Sequence, residues 1–409
     1  MQPTLSPPFR RFVVAFGLST VALIASGCPT QPGSGTAPGT TSPTTSTTAT
    51  TSTLPTGNRA PLIGAFAASN PTGAVPLTTA FTWSISDPDG DPLTCLLDAD
   101  GDAVVDKTVI GCTSSSVRAA TVAMPGAVAA SLRVSDGVAE AAALTTVTPS
   151  PAGSDGFSIT IRINGSMTPS QRDAFSDAAS RWAEVIRGGL PDTVLNVAAN
   201  ACNTGAAAFS GAVDDVMIDA TVAPIDGAGD ILGQAGPCRL RSTSGLPVYG
   251  VMSFDSADVE ALKQDGDFDA VILHEMGHVL GIGTLWSGRG LVGAGSSDPS
   301  FSGIVARSGW QDVGGIGNVP VENSGGPGTA DSHWREVSLQ GELMTGYIDH
   351  NDNPLSAITV GACADLGYVV DLGAADPYGR PRLRRGESGI SESEALHTQP
   401  IVPSGTVPG

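Results

Sequence analysis

Apolar residues follow three regimes along the chain. Over residues 12–27 they run almost unbroken behind Arg10 and Arg11, and over 29–58 they almost vanish. From residue 59 they recur with strand or helix periods. Within 59–149 the period is two. Phe81-Thr82-Trp83-Ser84-Ile85 alternates apolar and polar, and Ser131-Leu132-Arg133-Val134-Ser135 alternates in the opposite phase before Asp136-Gly137. Residues 142–147 read as a last strand. Short strands between turn residues predict a small all-β sandwich over 59–149. Within 156–372 both periods appear. A strand is expected over 157–163, then Thr168-Pro169-Ser170-Gln171, a capping-box pattern with Pro at the first helical position. Phe175, Ala179, Trp182 and Ile186 recur at helical spacing, and Gly188-Gly189 stops the helix. Further strands are expected over 213–222 and 248–254, and a C-terminal helix over 355–368. The second domain therefore reads as α+β. The remainder, 373–409, is a polar tail, disordered from 380 onward by its Pro/Gly punctuation and low apolar content.

The first apolar run is shorter than the roughly 20 residues a membrane span requires, and behind an Arg pair it fits a secretory signal. It ends Ile24-Ala25-Ser26-Gly27-Cys28. Small residues before a cysteine resemble a bacterial lipobox, with Ala25 where Leu is commoner. That implies cleavage before Cys28, lipidation of Cys28, and an exported protein anchored to a bacterial membrane at the outer membrane or cell surface. An ordinary cleaved signal with an incidental cysteine is the competing reading. Residues 29–58, rich in Thr, Ser, Pro and Gly, form an extended linker holding the folded domains off the membrane. Five other cysteines remain, and two local disulfides, Cys95 with Cys112 and Cys202 with Cys238, suit an oxidising compartment. Cys363 is left as a buried free thiol.

At 409 residues the chain has room for two or three domains at about 150 residues each. Its net charge is −20 with pI ≈ 4.4, and its one basic cluster, Arg380, Arg382, Arg384 and Arg385, is short. Nucleic acid is thus not an expected partner. Two acidic turns lie in the sandwich: Asp87, Asp89 and Asp91, then Asp98, Asp100 and Asp102. Carboxylates clustered on Gly-containing loops could ligate Ca2+, although no Glu closes an EF-hand pattern. Plain turn chemistry accounts for the same residues.

Candidate chemistry concentrates in Asp267-Phe268-Asp269-Ala270-Val271-Ile272-Leu273-His274-Glu275-Met276-Gly277-His278-Val279-Leu280-Gly281. This is H-E-x-x-H on an apolar helix ending at a glycine. His274 and His278, four apart, stand one turn above each other, where both rings reach one ion. Glu275 lies beside the first, placed to take a proton from a metal-activated water. A catalytic zinc site needs a third protein ligand. The compact metzincin spacing would require histidine at 284, where the chain has Thr284, although Gly281 stands where that form turns. His333, His350 and His397 remain. His397 lies in the tail, His350 in a polar turn is the reserve candidate, and His333 precedes Gly341-Glu342-Leu343-Met344-Thr345-Gly346.

The set His274-Glu275-Met276-Gly277-His278-Val279-Leu280-Gly281, then His333-Trp334, then Glu342-Leu343-Met344-Thr345-Gly346 resembles the leishmanolysin family of zinc metallopeptidases. In that family an insertion after the glycine displaces the third histidine, and a methionine turn follows. The resemblance implies a zincin/metzincin-type catalytic domain over 156–372. It implies one catalytic Zn2+ held by His274, His278 and His333, Glu275 as general base, Gly281 as a structural turn, and Met344 as the turn beneath the metal. It further implies an endopeptidase acting on extracytoplasmic proteins or peptides. The insertion over 285–332 would carry His333 back to the metal. No cysteine is placed for a cysteine switch, and Tyr347 is not assigned a role. The segment 59–149 resembles PKD-like or cadherin-like immunoglobulin-type modules. The alternative function is a catalytically inactive surface adhesion lipoprotein that keeps the metallopeptidase fold; a zinc hydrolase acting on bonds other than peptides is a third. Oligomeric state is not legible.

Overall fold

The computed structural model describes residues 57–380 apart from 154, 204, 230, 294, 327, 350 and 351, together with 393–395, 398–401 and 403–407. The signal segment, Cys28, most of the linker, His350 and His397 lie outside the described residues.

Eight strands form the first layer pair: β1 (Leu62–Ala68), β2 (Thr72–Ala74), β3 (Leu77–Ser86), β4 (Thr94–Asp98), β5 (Lys107–Ile110), β6 (Val117–Val122), β7 (Val128–Ser135) and β8 (Glu140–Ser150). They make one sheet in the order β1-β3-β6 and another in the order β2-β8-β7-β4-β5. The two-residue period turns Phe81, Trp83, Leu132 and Val134 inward, where all four are buried. The buried Trp83 indole donates to Thr113 O at 3.1 Å. Cys95 on β4 and Cys112 just after β5 are joined as a disulfide.

The second part builds a mixed sheet. Its elements are β9 (Ile159–Asn164), α1 (Pro169–Val185), β10 (Thr193–Val197), β11 (Phe209–Val213), β12 (Val216–Ala223), β13 (Gly233–Arg241), β14 (Pro247–Asp255), α2 (Ser256–Asp265) and α3 (Phe268–Leu280). β9, β12 and β14 run parallel, and β13 lies antiparallel to β14. The capping box at α1 forms: the Thr168 side chain accepts from Gln171 N, and Gln171 Oε1 accepts from Thr168 N. α1 and α3 cover one sheet face through Phe175, Trp182, Phe254, Ile272 and Val279. The antiparallel pair β10–β11 covers the other through Leu195, Val213, Met217 and Val251. A disulfide from Cys202 to Cys238 ties the loop between that pair to β13.

The rest comprises β15 (Ser300–Phe301), α4 (Ile304–Asp312), β16 (Val319–Pro320), α5 (Glu336–Leu339), β17 (Tyr347–Asp349), α6 (Ala357–Leu366), β18 (Ser393–Ala395), β19 (Thr398–Pro400) and β20 (Thr406–Val407). Two expectations are corrected. The single strand over 213–222 is two, because Asp215 leaves the ladder to accept backbone N–H groups from Ser158 and Leu190. The stretch 285–332, for which no element is expected from the sequence, holds α4, whose Trp310 is buried. The tail past 380 is not wholly unstructured: β19 and β20 add parallel to the edge of β13, and β18 pairs with β17. Backbone pairing to an existing edge supplies the order that the tail's few apolar side chains do not.

α4 also joins the two halves, which form one unit over Thr53–Gly409. The open edge of β6 would expose unpaired N–H groups. Instead Val117 N donates to Gln311 Oε1 at 2.9 Å and Ala119 N to Ser308 Oγ at 2.6 Å. Asp312 takes ion pairs from Lys107 at 2.9 Å and Arg118 at 3.1 Å. On its other side α4 packs against α6, with Gly309 against Ala357 and Gly361 against Ala306.

Asp255 anchors the loop after β12. Its Oδ2 accepts from Ile225, Asp226 and Gly227 N at 2.8, 2.8 and 2.9 Å, and its Oδ1 caps α2 through Ala257 N at 2.8 Å. Burial pushes this carboxyl up, but the four donors outweigh that and bring its pKa to about 2. A folded-state pKa below the unfolded value adds stability that is complete above the unfolded pKa and fades as pH falls through about 2. Asp255→Asn, which puts an amide against N–H donors, is expected to cost at least about 1 kcal/mol as a lost cap. In urea unfolding the gap between wild type and variant should hold steady from neutral pH down to about 4 and narrow below it.

Candidate metal centre

α3 exists because its apolar side is continuous. Val271, Ile272, Met276 and Val279 enter the core beside Phe175 and Trp182, and the Trp182 indole donates to Leu273 O at 3.0 Å. Asp267 occupies the N-cap position but makes no side-chain cap bond. The helix closes on Gly281, whose φ of 109° is left-handed and whose N–H returns to Gly277 and His278 carbonyls. On this helix His274 and His278 are both buried, at 0% and 1% exposure.

His333 returns from 55 residues beyond His278. Its segment is held from both sides: Glu322 N donates to His333 O at 2.9 Å, and Trp334 N donates to Met344 O at 2.9 Å. Trp334 stacks into a buried aromatic group with Trp286 and Phe301, at ring separations of 4.4 and 5.4 Å. The returning chain passes directly over the turn after α3. A Cβ at Gly283, where φ is 72°, would lie 2.0 Å from Ser332 O, so only glycine admits His333 here. Met344 is buried against the backbone between the two helix histidines. A Cβ at Gly277 would meet its Sδ at 2.8 Å and the Trp182 ring at 3.0 Å.

The three Nε2 atoms stand at the corners of a small triangle. They are 3.1 Å apart for His274–His278, 3.2 Å for His274–His333 and 3.0 Å for His278–His333. Each Nδ1 faces a carbonyl: Leu343 O at 2.6 Å for His274, Ile282 O at 2.9 Å for His278 and Thr329 O at 3.1 Å for His333. A carbonyl can only accept, so each Nδ1 carries the proton and each Nε2 presents a lone pair. Burial lowers all three pKa values, with neighbouring rings adding to the shift at His274 and His333; His278 falls to about 4 and His333 to about 3. The rings are therefore neutral, the form that binds metal.

Three lone pairs converging at this distance with no proton between them repel unless a cation joins them. Tetrahedral zinc with N ligands at about 2.0–2.1 Å spaces those nitrogens roughly 3.3–3.4 Å apart, close to the observed triangle. The donor set fits one zinc ion with room for a non-protein ligand. Glu275 is fully buried, with Oε1 4.0 Å from His274 Nε2. Beside a metal centre it is placed as a proton acceptor.

The other candidate residues fall elsewhere. Asp87, Asp89 and Asp91 cluster, but in the second turn Asp106 rather than Asp102 joins Asp98 and Asp100. Their oxygens mostly close their own turns: Asp87 accepts from Asp89 N and Asp91 N, Asp98 from Gly101 N and Ala103 N, and Asp102 from Val104 N. Asp89 also pairs with Arg59 at 2.8 Å. These bonds are turn chemistry, and nothing beyond the clustering points to calcium. Cys363 is free and buried, and burial pushes its thiol pKa up. The sequence reading missed Gly283 and the three carbonyl acceptors. Gly283 stood in plain view as the second glycine of Gly281-Ile282-Gly283, whereas backbone carbonyls leave no side-chain signal.

A sequence profile of the leishmanolysin peptidase family matches residues 306–378, a stretch that includes His333, Met344 and α6 but not α3. The chain is 30% identical over 173 residues to leishmanolysin from Leishmania donovani, covering 39% of this chain and 29% of that protein. The chain thus spans under a third of the relative it matches. Two solved domains are also similar to part of the chain. The PKD domain of an M14-like peptidase from Thermoplasmatales archaeon SCGC AB-540-F20 is 19% identical, covering 23% of this chain and 98% of that one at a TM-score of 0.20. The PKD1 domain of Epp from Vibrio anguillarum is 18% identical, with the same coverages and a TM-score of 0.18.

The centre generates a direct test. His333→Ala should remove most bound zinc. Gly283→Ala, which displaces the same segment without touching a ligand, should weaken zinc binding by about 10–100-fold, the usual cost of losing ligand support. Competition with a chromophoric chelator measures both; wild-type affinity in His333→Ala would remove His333 from the site, and in Gly283→Ala would remove the glycine's positioning role.

Proposed function

We propose that this chain is a zinc-dependent endopeptidase that hydrolyses peptide bonds of extracytoplasmic proteins. The observation that carries the reading is the convergence of three neutral imidazoles on one point beside a buried carboxylate. Similarity to leishmanolysin around His333 and Met344 supports it. His274, His278 and His333 would hold the ion through Nε2, each ring locked by its Nδ1–H···O=C bond. When bound, zinc supplies Lewis acidity, lowering the pKa of a water from about 15.7 to about 7 and polarising a substrate carbonyl oxygen. Glu275 takes the proton of the attacking water on a carboxylate oxygen. It then returns that proton to the leaving amine nitrogen as the C–N bond breaks, so the residue is regenerated each turnover. The burial of all four side chains keeps bulk water from competing at these atoms.

Placement outside the cytoplasm rests on the two disulfides, Cys95–Cys112 and Cys202–Cys238. Among the described residues no helix is long and apolar enough to cross a membrane. Attachment through lipid on Cys28 completes the reading. The sandwich is assigned as a PKD/cadherin-like module on its two-sheet strand order and its inward aromatic core.

The full chain loaded with zinc should cleave casein or a random peptide library, and a chelator should stop it. Glu275→Gln should keep its zinc and lose about 10²–10⁴-fold in kcat/KM, the range general-base catalysis supplies. Equal cleavage by this variant would sink the mechanism. Partner binding by a zinc-loaded wild type that cuts nothing would favour the adhesion alternative.

A further inference from the structure

Glu342 is fully buried, two residues before the methionine of the turn. Its Oε2 accepts from Met344 N at 2.7 Å. Its Oε1 accepts from Ser356 Oγ and Thr359 Oγ1, both at 2.6 Å, and from Ser356 N at 3.3 Å. The two amides can only donate. Ser356 Oγ already accepts from Ile358 N at 3.1 Å, and Thr359 Oγ1 from the Trp334 indole at 2.8 Å, so both hydroxyl protons face Glu342. Burial pushes this carboxyl's pKa up and outweighs the four donors, which pull it down. A set made of donors alone suits the ionised form.

Met344 N belongs to the same peptide group as Leu343 O, the acceptor of the His274 Nδ1–H bond. One rigid amide therefore has a carboxylate on its N–H end and a metal-facing imidazole on its C=O end. Hydrogen bonds in series polarise one another, so negative charge at the N–H makes the carbonyl a stronger acceptor. A stronger acceptor at Nδ1 raises the electron density that Nε2 offers an ion. The distances agree with this order: 2.6 Å at Leu343 O against 2.9 Å at Ile282 O and 3.1 Å at Thr329 O, neither of which has a carboxylate hydrogen-bonded to the N–H of its own peptide group among the bonds described. Through Thr359 the same carboxylate reaches the Trp334 indole, next to His333.

We propose that Glu342 is a positioning residue for the metal centre, acting on His274 through the Leu343–Met344 peptide. The proposal rests on the zinc reading above. An uncharged Gln at 342 keeps the volume and removes the charge. A Val at 359 removes a side-chain donor and the Trp334 link but keeps the charge and the peptide bridge.

The full chain should be titrated with zinc against a chelator, and its cobalt-substituted form examined by visible absorption. Glu342→Gln is expected to raise the zinc Kd about tenfold, at the low end of supporting-residue effects, and to shift the cobalt bands. Thr359→Val is expected to lower the melting temperature yet leave Kd within about twofold of wild type. Wild-type Kd and cobalt bands in Glu342→Gln would overturn the proposal, as would an equal loss in Thr359→Val, which would make packing rather than charge the lever. Should Glu342→Gln fail to fold, the metal-free wild type still decides. Its His274 Nδ1 proton should resonate downfield of those of His278 and His333 in a spectrum of protein labelled with ¹⁵N-histidine; any other order overturns the bridge. A wild type that binds no zinc at all would instead remove the metal reading, and the proton order would still report on the bridge.

Discussion

The structure turns on three nitrogen lone pairs brought to within 3.0–3.2 Å of one another in a dry core. Such an arrangement is unfavourable on its own. Burial removes the water that would solvate the nitrogens, and the carbonyl at each Nδ1 prevents a ring from flipping to present a proton instead. A fold that keeps this geometry stores a demand for a cation. The surrounding elements are best understood by how they maintain it: Trp182 and the apolar face of α3 hold the helix, Gly283 clears the path of the returning chain, and Met344 packs against Gly277 between the two helix histidines.

The long excursion between the helix and His333 is itself a folded element. Closing a long loop costs only about (3/2)RT ln n, so length alone is tolerable, but precise delivery of a ring needs rigidity. Trp286, Phe301 and Trp334 anchor the insertion as an aromatic group within the main core of the domain, and α4 fixes it against α6. α4 also closes the sandwich edge at β6. The sandwich is thereby coupled to the segment that carries the third histidine, a linkage that a reading of two independent domains does not contain.

What was legible in the sequence was local or periodic. The four-residue spacing of His274 and His278, the capping box at Thr168 and the alternation around Phe81 each state their geometry within one element. His333 was reached from the scarcity of histidines and a resemblance to a known family, not from spacing. Tertiary features stayed hidden. The break at Asp215 depends on amides from Ser158 and Leu190, far away in sequence. α4 carries Gly309 mid-helix because α6 approaches too closely for a side chain, and that glycine masked the helix. The short tail strands owe their order to the β13 and β17 edges, which no property of residues 393–407 announces. In the sequence Glu342 is only one residue of a motif, because its role depends on the Leu343–Met344 peptide that the fold brings to His274.

X-ray absorption at the zinc edge of the loaded protein reads the ligands themselves, without turnover. Three converging imidazoles predict one zinc per chain with N/O scatterers at about 2.0–2.1 Å, outer-shell scattering from three rings, and no sulfur. A spectrum fitted by two imidazoles, or by a sulfur at about 2.3 Å, would contradict that arrangement.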